Sequence, residues 1–148
     1  MPMSQIFPIL NEVIQNGGAF HLTTAGISML PMLRDRKDTV VLVKPSLPLK
    51  KYDVALYKRA DGTFVLHRVV GFDKNGYIFC GDNQYVFEHG ITDENIIAVT
   101  KSYIKAGKTI PCNSFSYKCY CLWHCKTRKI RHLILRVKSK LIKLLFSK

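Results

Sequence analysis

Four polar residues of this chain have the side chains needed to cleave an acyl bond. Ser28 lies in the otherwise apolar segment GISMLPML, and His67 lies in the strand-like segment FVLHRVVG. Asp82 follows in a Gly-Asp-Asn turn, and Glu88 comes six residues later. A serine becomes a nucleophile when a base takes its proton, histidine is the usual base near neutral pH, and a carboxylate can orient that histidine. The sequence therefore offers one nucleophile, one base and two candidate acids.

Each of these residues, taken singly, also fits an ordinary structural role. Ser28 could cap a single helical turn over residues 29–33. His67 shares a strand face with Val65 and Val69, where a hydrogen-bonded core histidine is common. Aspartate after glycine is a frequent turn former, which would account for Asp82. The individual segments alone therefore favour structural roles.

The hydrophobic pattern predicts a mainly β fold that would position these side chains. A short amphipathic helix is expected over residues 8–15, with Gly17-Gly18 as its stop. Asp61-Gly62 and Asn75-Gly76 are typical of tight hairpin turns. Residues 81–93 are interpreted as polar turns, and residues 111–120 as irregular. The strands are expected over residues 20–23, 39–43, 53–59, 63–72, 77–80 and 95–105.

The order of the three segments resembles a known family. GISMLPML, the pair DVALYKR and VLHRVVGF, and YIFCGDN are similar to successive boxes of type I signal peptidases and the related self-cleaving repressors. In that superfamily a serine in Ser-Met-x-Pro attacks the substrate carbonyl, a base follows on a strand, and a Gly-Asp-Asn box comes next. A histidine base is typical of the Ser–His branch. The resemblance covers about residues 20–104 and implies a signal-peptidase-like β fold of antiparallel strands and hairpins.

Residue by residue, the resemblance implies that Ser28 is the nucleophile and His67 the general base. Asp82 matches the aspartate of Gly-Asp-Asn and is the preferred residue to orient His67. Glu88 remains the alternative acid, because the histidine-type enzymes carry a further aspartate about six residues later. No metal or organic cofactor is expected.

The oxyanion hole departs from the family pattern. Many members have a serine two residues before the nucleophile, and its hydroxyl helps to bind the developing oxyanion. This chain has Gly26 there. The hole is therefore expected to use backbone N–H groups, including that of Ser28. Arg68 and Asn83 are expected to support the structure of their boxes.

Charge divides the chain and predicts a membrane-binding tail. The net charge is +13, and residues 111–148 hold 10 of the 23 Lys and Arg but none of the 10 Asp and Glu. From about Leu122 the apolar residues recur at helical spacing among these cations, which favours peripheral attachment of residues 122–148 to an anionic membrane surface. A helix packed on the domain, with solvated lysines, is the alternative. No recognised nucleic-acid-binding fold is present, so specific nucleic-acid binding is not expected.

We expect an N-terminal helix (1–18), a catalytic β domain (19–108) and a basic tail (109–148).

The cysteines favour a reducing compartment. Four of the five, at positions 112, 119, 121 and 125, lie in the tail, whereas a disulfide framework would usually hold the folded domain itself. Cys119, Cys121 and Cys125 with His124 could hold zinc, but the second pair of the common zinc modules is missing. Acylation would add a second membrane anchor. Unmodified reduced thiols are the preferred interpretation.

These observations predict a serine endopeptidase that cleaves a leader or signal-like peptide from a peptide or protein precursor through an acyl-enzyme. No cleavable signal peptide and no transmembrane segment is evident in the sequence, so a cytoplasm-facing, peripheral protein is expected. The resemblance implies an extended substrate with small residues near the cut. A non-catalytic membrane-associated module of the same fold is one alternative. A self-cleaving regulator is another, disfavoured because those proteins use a lysine base and carry a DNA-binding domain.

Overall fold

The protein is mainly antiparallel β-sheet, as its sequence predicts, with helices at both ends. A computed structural model describes residues 3–146. The elements, in chain order, are α1 (Met3–Gln15), β1 (Phe20–Thr23), β2 (Thr39–Val43), β3 (Val54–Lys58), β4 (Phe64–Asp73), β5 (Gly76–Cys80), β6 (Glu88–Ile91), a 3-10 turn (Asp93–Asn95), β7 (Ile96–Lys105), β8 (Lys108–Pro111), α2 (Phe115–Lys126) and α3 (Arg128–Phe146).

Strand β1 and the start of β4 each have one backbone edge without a partner strand among residues 3–146. The sheet runs β1-β2-β7-β3-β4-β5-β6, and β8 pairs with β7. Strand β1 pairs with β2 on one side and is therefore an edge. Strand β4 pairs with β5 from Arg68 onward, so its first residues, 64–67, pair with β3 alone. Unpaired strand edges can accept another extended chain, which makes both of them candidate peptide-binding edges.

Apolar side chains fill two clusters, one on each face of the sheet. The larger cluster joins Leu10 and Ile14 of α1 to the interior residues of β2 and β3. Tyr117 and Cys121 of α2 belong to the same cluster. The first of the tail helices thus packs on the β domain, and its burial is part of the core.

The two expected hairpin turns are confirmed. Gly62 and Gly76 have φ angles of +86° and +123°, the left-handed region that glycine adopts without a steric penalty. They join β3 to β4 and β4 to β5. These turns set the register that places His67 and Arg68 next to the end of β5.

Several elements differ from the sequence prediction. Helix α1 begins at Met3, upstream of Pro8, because Met3 and Ile6 also pack against the core and offset the hydrogen bond that proline removes. The segment expected to be polar turns contains β6, which pairs with β5. The segment expected to be irregular, 111–120, contains the last residue of β8 and the first half of α2, whose first turn is capped by the Ser114 hydroxyl accepting from the Tyr117 N–H.

Helix α3 projects from the domain. From His132 to Leu145 every side chain is exposed, including Leu133, Leu141 and Leu144. Among residues 3–146, none of the helices combines the length and apolarity needed to cross a bilayer.

Candidate active site

The apolar residues around Ser28 anchor a tight turn and leave the serine at its surface. Met29, Met32 and Leu33 are buried in the larger core cluster, and the Leu33 N–H donates to the Met29 carbonyl at 2.9 Å. Gly26, with φ +98°, brings the chain into the turn, and its N–H donates to Asp35 at 2.7 Å. Within residues 3–146 the Ser28 hydroxyl has no hydrogen-bond partner and caps no helix. A helix-capping role for Ser28 is thus not what the structure shows.

Within residues 3–146, His67 is held by a carboxylate at one ring nitrogen and has no hydrogen-bond partner at the other. Its side chain is 3 % exposed, and Nδ1 lies 3.1 Å from Oε1 of Glu88. The Tyr57 hydroxyl lies 3.4 Å from the same nitrogen. The carboxylate accepts a hydrogen bond from the Nδ1–H, and in this tautomer Nε2 carries the lone pair, the arrangement a general base needs. Burial lowers the pKa of His67, and the charge of Glu88 offsets part of that shift, so the imidazole is neutral at pH 7.

Glu88 is itself fixed by a bidentate ion pair. The Arg59 guanidinium donates to Oε1 at 2.5 Å and to Oε2 at 2.7 Å. Burial raises the pKa of Glu88, but the hydrogen bonds and charge of Arg59 outweigh it and leave the pKa below its ordinary value. The residue facing His67 is therefore a carboxylate at neutral pH.

The structure gives Asp82, the acid preferred from the sequence, different partners. Both of its oxygens accept hydrogen bonds from the fully buried Arg68 guanidinium at 2.7 Å, and it makes no hydrogen bond to His67 among residues 3–146. The reason is strand geometry: His67 and Arg68 are neighbours on β4 and point to opposite faces, and Asp82 lies on the Arg68 side. Arg68 holds the pKa of Asp82 below its ordinary value despite burial. The geometry thus favours the alternative acid, Glu88.

The Gly-Asp-Asn turn clamps the serine turn through backbone contacts. The Asn83 N–H donates to the Ser28 carbonyl at 2.8 Å, and its side-chain amide donates to the Ile27 carbonyl at 3.2 Å. A Cβ on Gly81 would lie 2.6 Å from the Ser28 carbonyl oxygen, so glycine alone allows this approach. The same point is 3.1 Å from Nε2 of His67. Gly81 therefore lies between the serine turn and the base.

Helix α2 covers the Arg68–Asp82 pair, a contribution that the sequence did not reveal. The Tyr120 hydroxyl donates a hydrogen bond to the Asp82 carboxylate at 2.9 Å, and Nε2 of His124 lies 2.8 Å from the Asp82 backbone carbonyl. Arg68 also donates to the Tyr117 hydroxyl at 2.7 Å. The Arg59–Glu88 pair was likewise missed, because its partners are 29 residues apart and meet only through sheet pairing.

Ser28 and His67 open into one cavity of about 480 Å³. Its walls include both open strand edges, with Leu22 and Thr23 on β1 and the first residues of β4 opposite. Within residues 3–146 the Ser28 backbone N–H donates no hydrogen bond, so it is available to a ligand oxygen. The residues that line the cavity thus bring a serine hydroxyl and N–H, a neutral imidazole and two candidate peptide-binding edges.

The structure separates the tail residues considered as zinc ligands. Cys119 is exposed, Cys121 is buried against Arg68, and His124 binds the Asp82 carbonyl. No group of three potential metal ligands occurs among the residues from Met3 to Phe146. All five cysteines are free thiols.

Fold and site together define a class: a mainly β protein with a Ser, His and Glu arrangement at a cleft between open strand edges. No protein-family model matches the chain, and a search of curated proteins gives no match.

Proposed function

We propose that the protein is a serine endopeptidase of the signal peptidase type. One observation carries the proposal: a buried, neutral His67, whose Nδ1 is held by the Arg59-bound Glu88, lines the same cavity as Ser28, whose hydroxyl has no hydrogen-bond partner within residues 3–146. A carboxylate–imidazole–hydroxyl set in a partly closed cavity is the arrangement that activates serine.

The reaction follows from these roles. His67 takes the hydroxyl proton as Ser28 Oγ attacks the substrate carbonyl carbon, and the carbonyl π electrons move to oxygen. The Ser28 N–H stabilises that oxyanion. The intermediate collapses, the amine leaves with the proton from His67, and an acyl-enzyme remains. Water, deprotonated by His67, then releases the acid and restores Ser28.

The open edges of β1 and β4 favour an extended peptide substrate. A chain lying between them would form backbone hydrogen bonds with either edge and bring one carbonyl toward Ser28. By the motif resemblance, the substrate is a leader or signal-like segment of a precursor, with small residues near the cut.

The test compares protein N-termini in cells that carry the wild type, Ser28→Ala or His67→Ala. We expect at least one new N-terminus, in this chain or another, that depends on both residues. Ser46→Ala, an exposed loop serine, is the matched control and should leave processing unchanged. A wild-type pattern in the Ser28→Ala cells would contradict the peptidase and favour the non-catalytic module. Processing confined to this chain would favour the self-cleaving regulator.

We further propose that α3 attaches the protein to an anionic membrane surface, such as the cytoplasmic leaflet. Most of its exposed apolar residues form one face at helical spacing: Ile130, Leu133, Ile134, Val137, Leu141, Leu144 and Leu145. Leu135 and Ile142 lie outside that face. Lysine and arginine flank that face on both sides, and acidic residues are absent from the helix. An amphipathic helix of this kind lies in the headgroup region with its apolar face inserted.

A liposome assay tests the attachment. Leu133→Asp with Leu141→Asp, two exposed positions of the apolar face, should abolish binding to vesicles that contain phosphatidylserine. Phe72→Asp, at a similarly exposed residue of β4, is the control and should bind as the wild type does. Undiminished binding of the double variant would contradict a role for this face.

A further inference from the structure

Three polar groups of residues on the cavity wall have no hydrogen-bond partner within the described part of the chain. Thr23 bonds to Thr39, Thr24 to the Asp38 carbonyl, and Arg59 to Glu88. Among residues 3–146, this leaves the Ser28 hydroxyl, Nε2 of His67 and the Gln84 carboxamide unpaired on the wall. The first two have roles in the proposed peptidase, whereas the third has none so far.

Gln84 has a fixed backbone and a side chain that lies near the proposed base, His67. The backbone N–H of Gln84 donates to the Gly81 carbonyl at 3.0 Å, and its backbone carbonyl accepts from the Arg128 guanidinium at 3.3 Å. Its Oε1 lies 2.9 Å from the point where a Gly81 Cβ would be, the same point that lies 3.1 Å from Nε2 of His67. Because residue 81 is glycine, this space stays open between the carboxamide and the base.

The proposed reaction calls for a second oxyanion donor beside the Ser28 N–H. An acyl-transfer site stabilises its oxyanion with preorganised hydrogen-bond donors, and one available donor is the Ser28 N–H. Position 26, two residues before the nucleophile, is glycine and brings no side-chain donor. A half-turn of the Gln84 carboxamide exchanges Oε1 for the Nε2 donor, and no hydrogen bond within residues 3–146 resists it.

We propose that Gln84 is a catalytic residue that donates a hydrogen bond from Nε2 to the oxyanion of the tetrahedral intermediate. The inference rests on the proposed peptidase. The electron pair moved onto the carbonyl oxygen by Ser28 attack is stabilised by two N–H donors, those of Ser28 and Gln84. Neither donor gives up its proton, and proton transfer to the leaving amine stays with His67. When the intermediate collapses, both hydrogen bonds weaken and the acyl-enzyme forms.

The experiment measures the rate at which an alkyl fluorophosphonate modifies Ser28 in the full chain. This probe reacts with an activated serine and develops negative charge on the phosphoryl oxygen. Gln84→Ala should slow the reaction by about 10²–10³-fold, the loss typical for one oxyanion donor. Gln84→Glu should be slower still at pH 7, because an isosteric carboxylate repels the oxyanion. The matched control is Gln15→Glu, which changes the net charge equally at an exposed position and should react at the wild-type rate.

The outcomes separate the two proposals. Wild-type rates in Gln84→Ala would overturn the oxyanion role while leaving the peptidase in place. A slow Gln84→Ala with a fast Gln84→Glu would show a packing role and overturn it too. Absence of Ser28 modification in the wild type would overturn both proposals. Thermal unfolding of each variant is measured alongside, and the isosteric Gln84→Glu keeps the test decisive if Gln84→Ala is unstable.

Discussion

At the scale of single residues, the two acids of the site have separate tasks. Glu88 faces the base and is neutralised in part by Arg59 at the edge of the cavity. Asp82 neutralises Arg68 inside the protein, where both side chains have no exposed surface. A buried charge is tolerated only with a close partner, so Asp82 is committed to stability. Glu88, which is one fifth exposed, is the acid available to chemistry.

Glu88→Gln should therefore impair catalysis far more than folding. An amide at this position stabilises the imidazolium poorly, so modification of Ser28 by the fluorophosphonate should slow by about 10²–10⁴-fold. The Glu88 charge raises the pKa of His67, which burial has lowered. Its loss lowers that pKa further, and the acid limb of the rate–pH profile should move to lower pH. Glu12→Gln, at an exposed residue, is the control. An acid limb that stays in place or moves upward would contradict the contact.

Asp82→Asn should impair folding far more than catalysis, with a large decrease in the free energy of unfolding. The variant leaves the Arg68 guanidinium buried without its carboxylate, a change that costs about 3–5 kcal/mol. Urea unfolding should show a midpoint lowered accordingly. Exposed Glu94→Gln should change the free energy of unfolding by less than about 0.5 kcal/mol. A stable Asp82→Asn variant that has lost Ser28 reactivity would instead favour Asp82 as the orienting acid.

The candidate nucleophile and base were predictable from residue type and motif order, but the partners were not. The residues around Ser28 predict a turn, and the alternation around His67 predicts a strand, so the local sequence was enough to place both residues. The choice between Asp82 and Glu88 depends on which face of β4 each acid meets. That is set by the pairing of β4 with β5 and of β5 with β6, which connects distant residues. Gln84 gave no signal, since an isolated glutamine in a turn is ordinary.

At the scale of elements, the turn over residues 81–84 connects the serine turn to the rest of the protein. On one side Asn83 holds the Ser28 carbonyl, and on the other His124 and Arg128 hold the carbonyls of Asp82 and Gln84. The C-terminal helices thus support the position of the nucleophile through one four-residue turn. This turn is the structural link between the tail and the cavity.

Gly81→Ala tests that link. The added Cβ would lie 2.6 Å from the Ser28 carbonyl oxygen, a backbone atom that moves only with its turn. We expect the rate of Ser28 modification to fall by about tenfold or more through misplacement of the nucleophile. Gly71→Ala is the matched control, since its Cβ would meet Ile78 at an ordinary 3.5 Å. Equal rates in the two variants would show that the turn does not fix Ser28.

The elements that sequence periodicity missed are those created by long-range contacts. The β6 segment, EHGI, lacks a β-branched run and is a strand because it pairs with β5. Helix α2 buries Tyr117, Cys121 and His124, which share one helix face but form no apolar period. That face is polar because it meets the Arg68–Asp82 pair. The strands of the hairpins, by contrast, were predicted to within a residue or two, since Asp-Gly and Asn-Gly fix their ends locally.

At the scale of the whole molecule, charge and burial distinguish two surfaces, the cavity of the β domain and the exposed helix α3. The cavity belongs to the β domain, where cations and acids nearly balance, whereas the tail holds cations alone. Helix α3 is exposed from His132 to Leu145, so the cations of this part can meet an anionic surface. A protein attached in this way would meet its substrate at the membrane, where leader and signal-like segments are found.

The electrostatic part of that attachment should be visible in its salt dependence. Each cation near an anionic bilayer contributes about 1 kcal/mol, so Lys138→Gln with Lys140→Gln should weaken partitioning onto phosphatidylserine vesicles by roughly 30-fold at low salt. Raising NaCl from about 0.05 to 0.5 M shortens the screening length and should narrow the difference between wild type and variant. The control pair, Lys44→Gln with Lys74→Gln, removes the same charge from exposed positions on the β domain and should bind as the wild type does. Both pairs remove the same charge, so they should differ only if the lysines of α3 contact the membrane directly. Equal weakening by both pairs would therefore mean that the net charge of the protein, and not α3, drives binding.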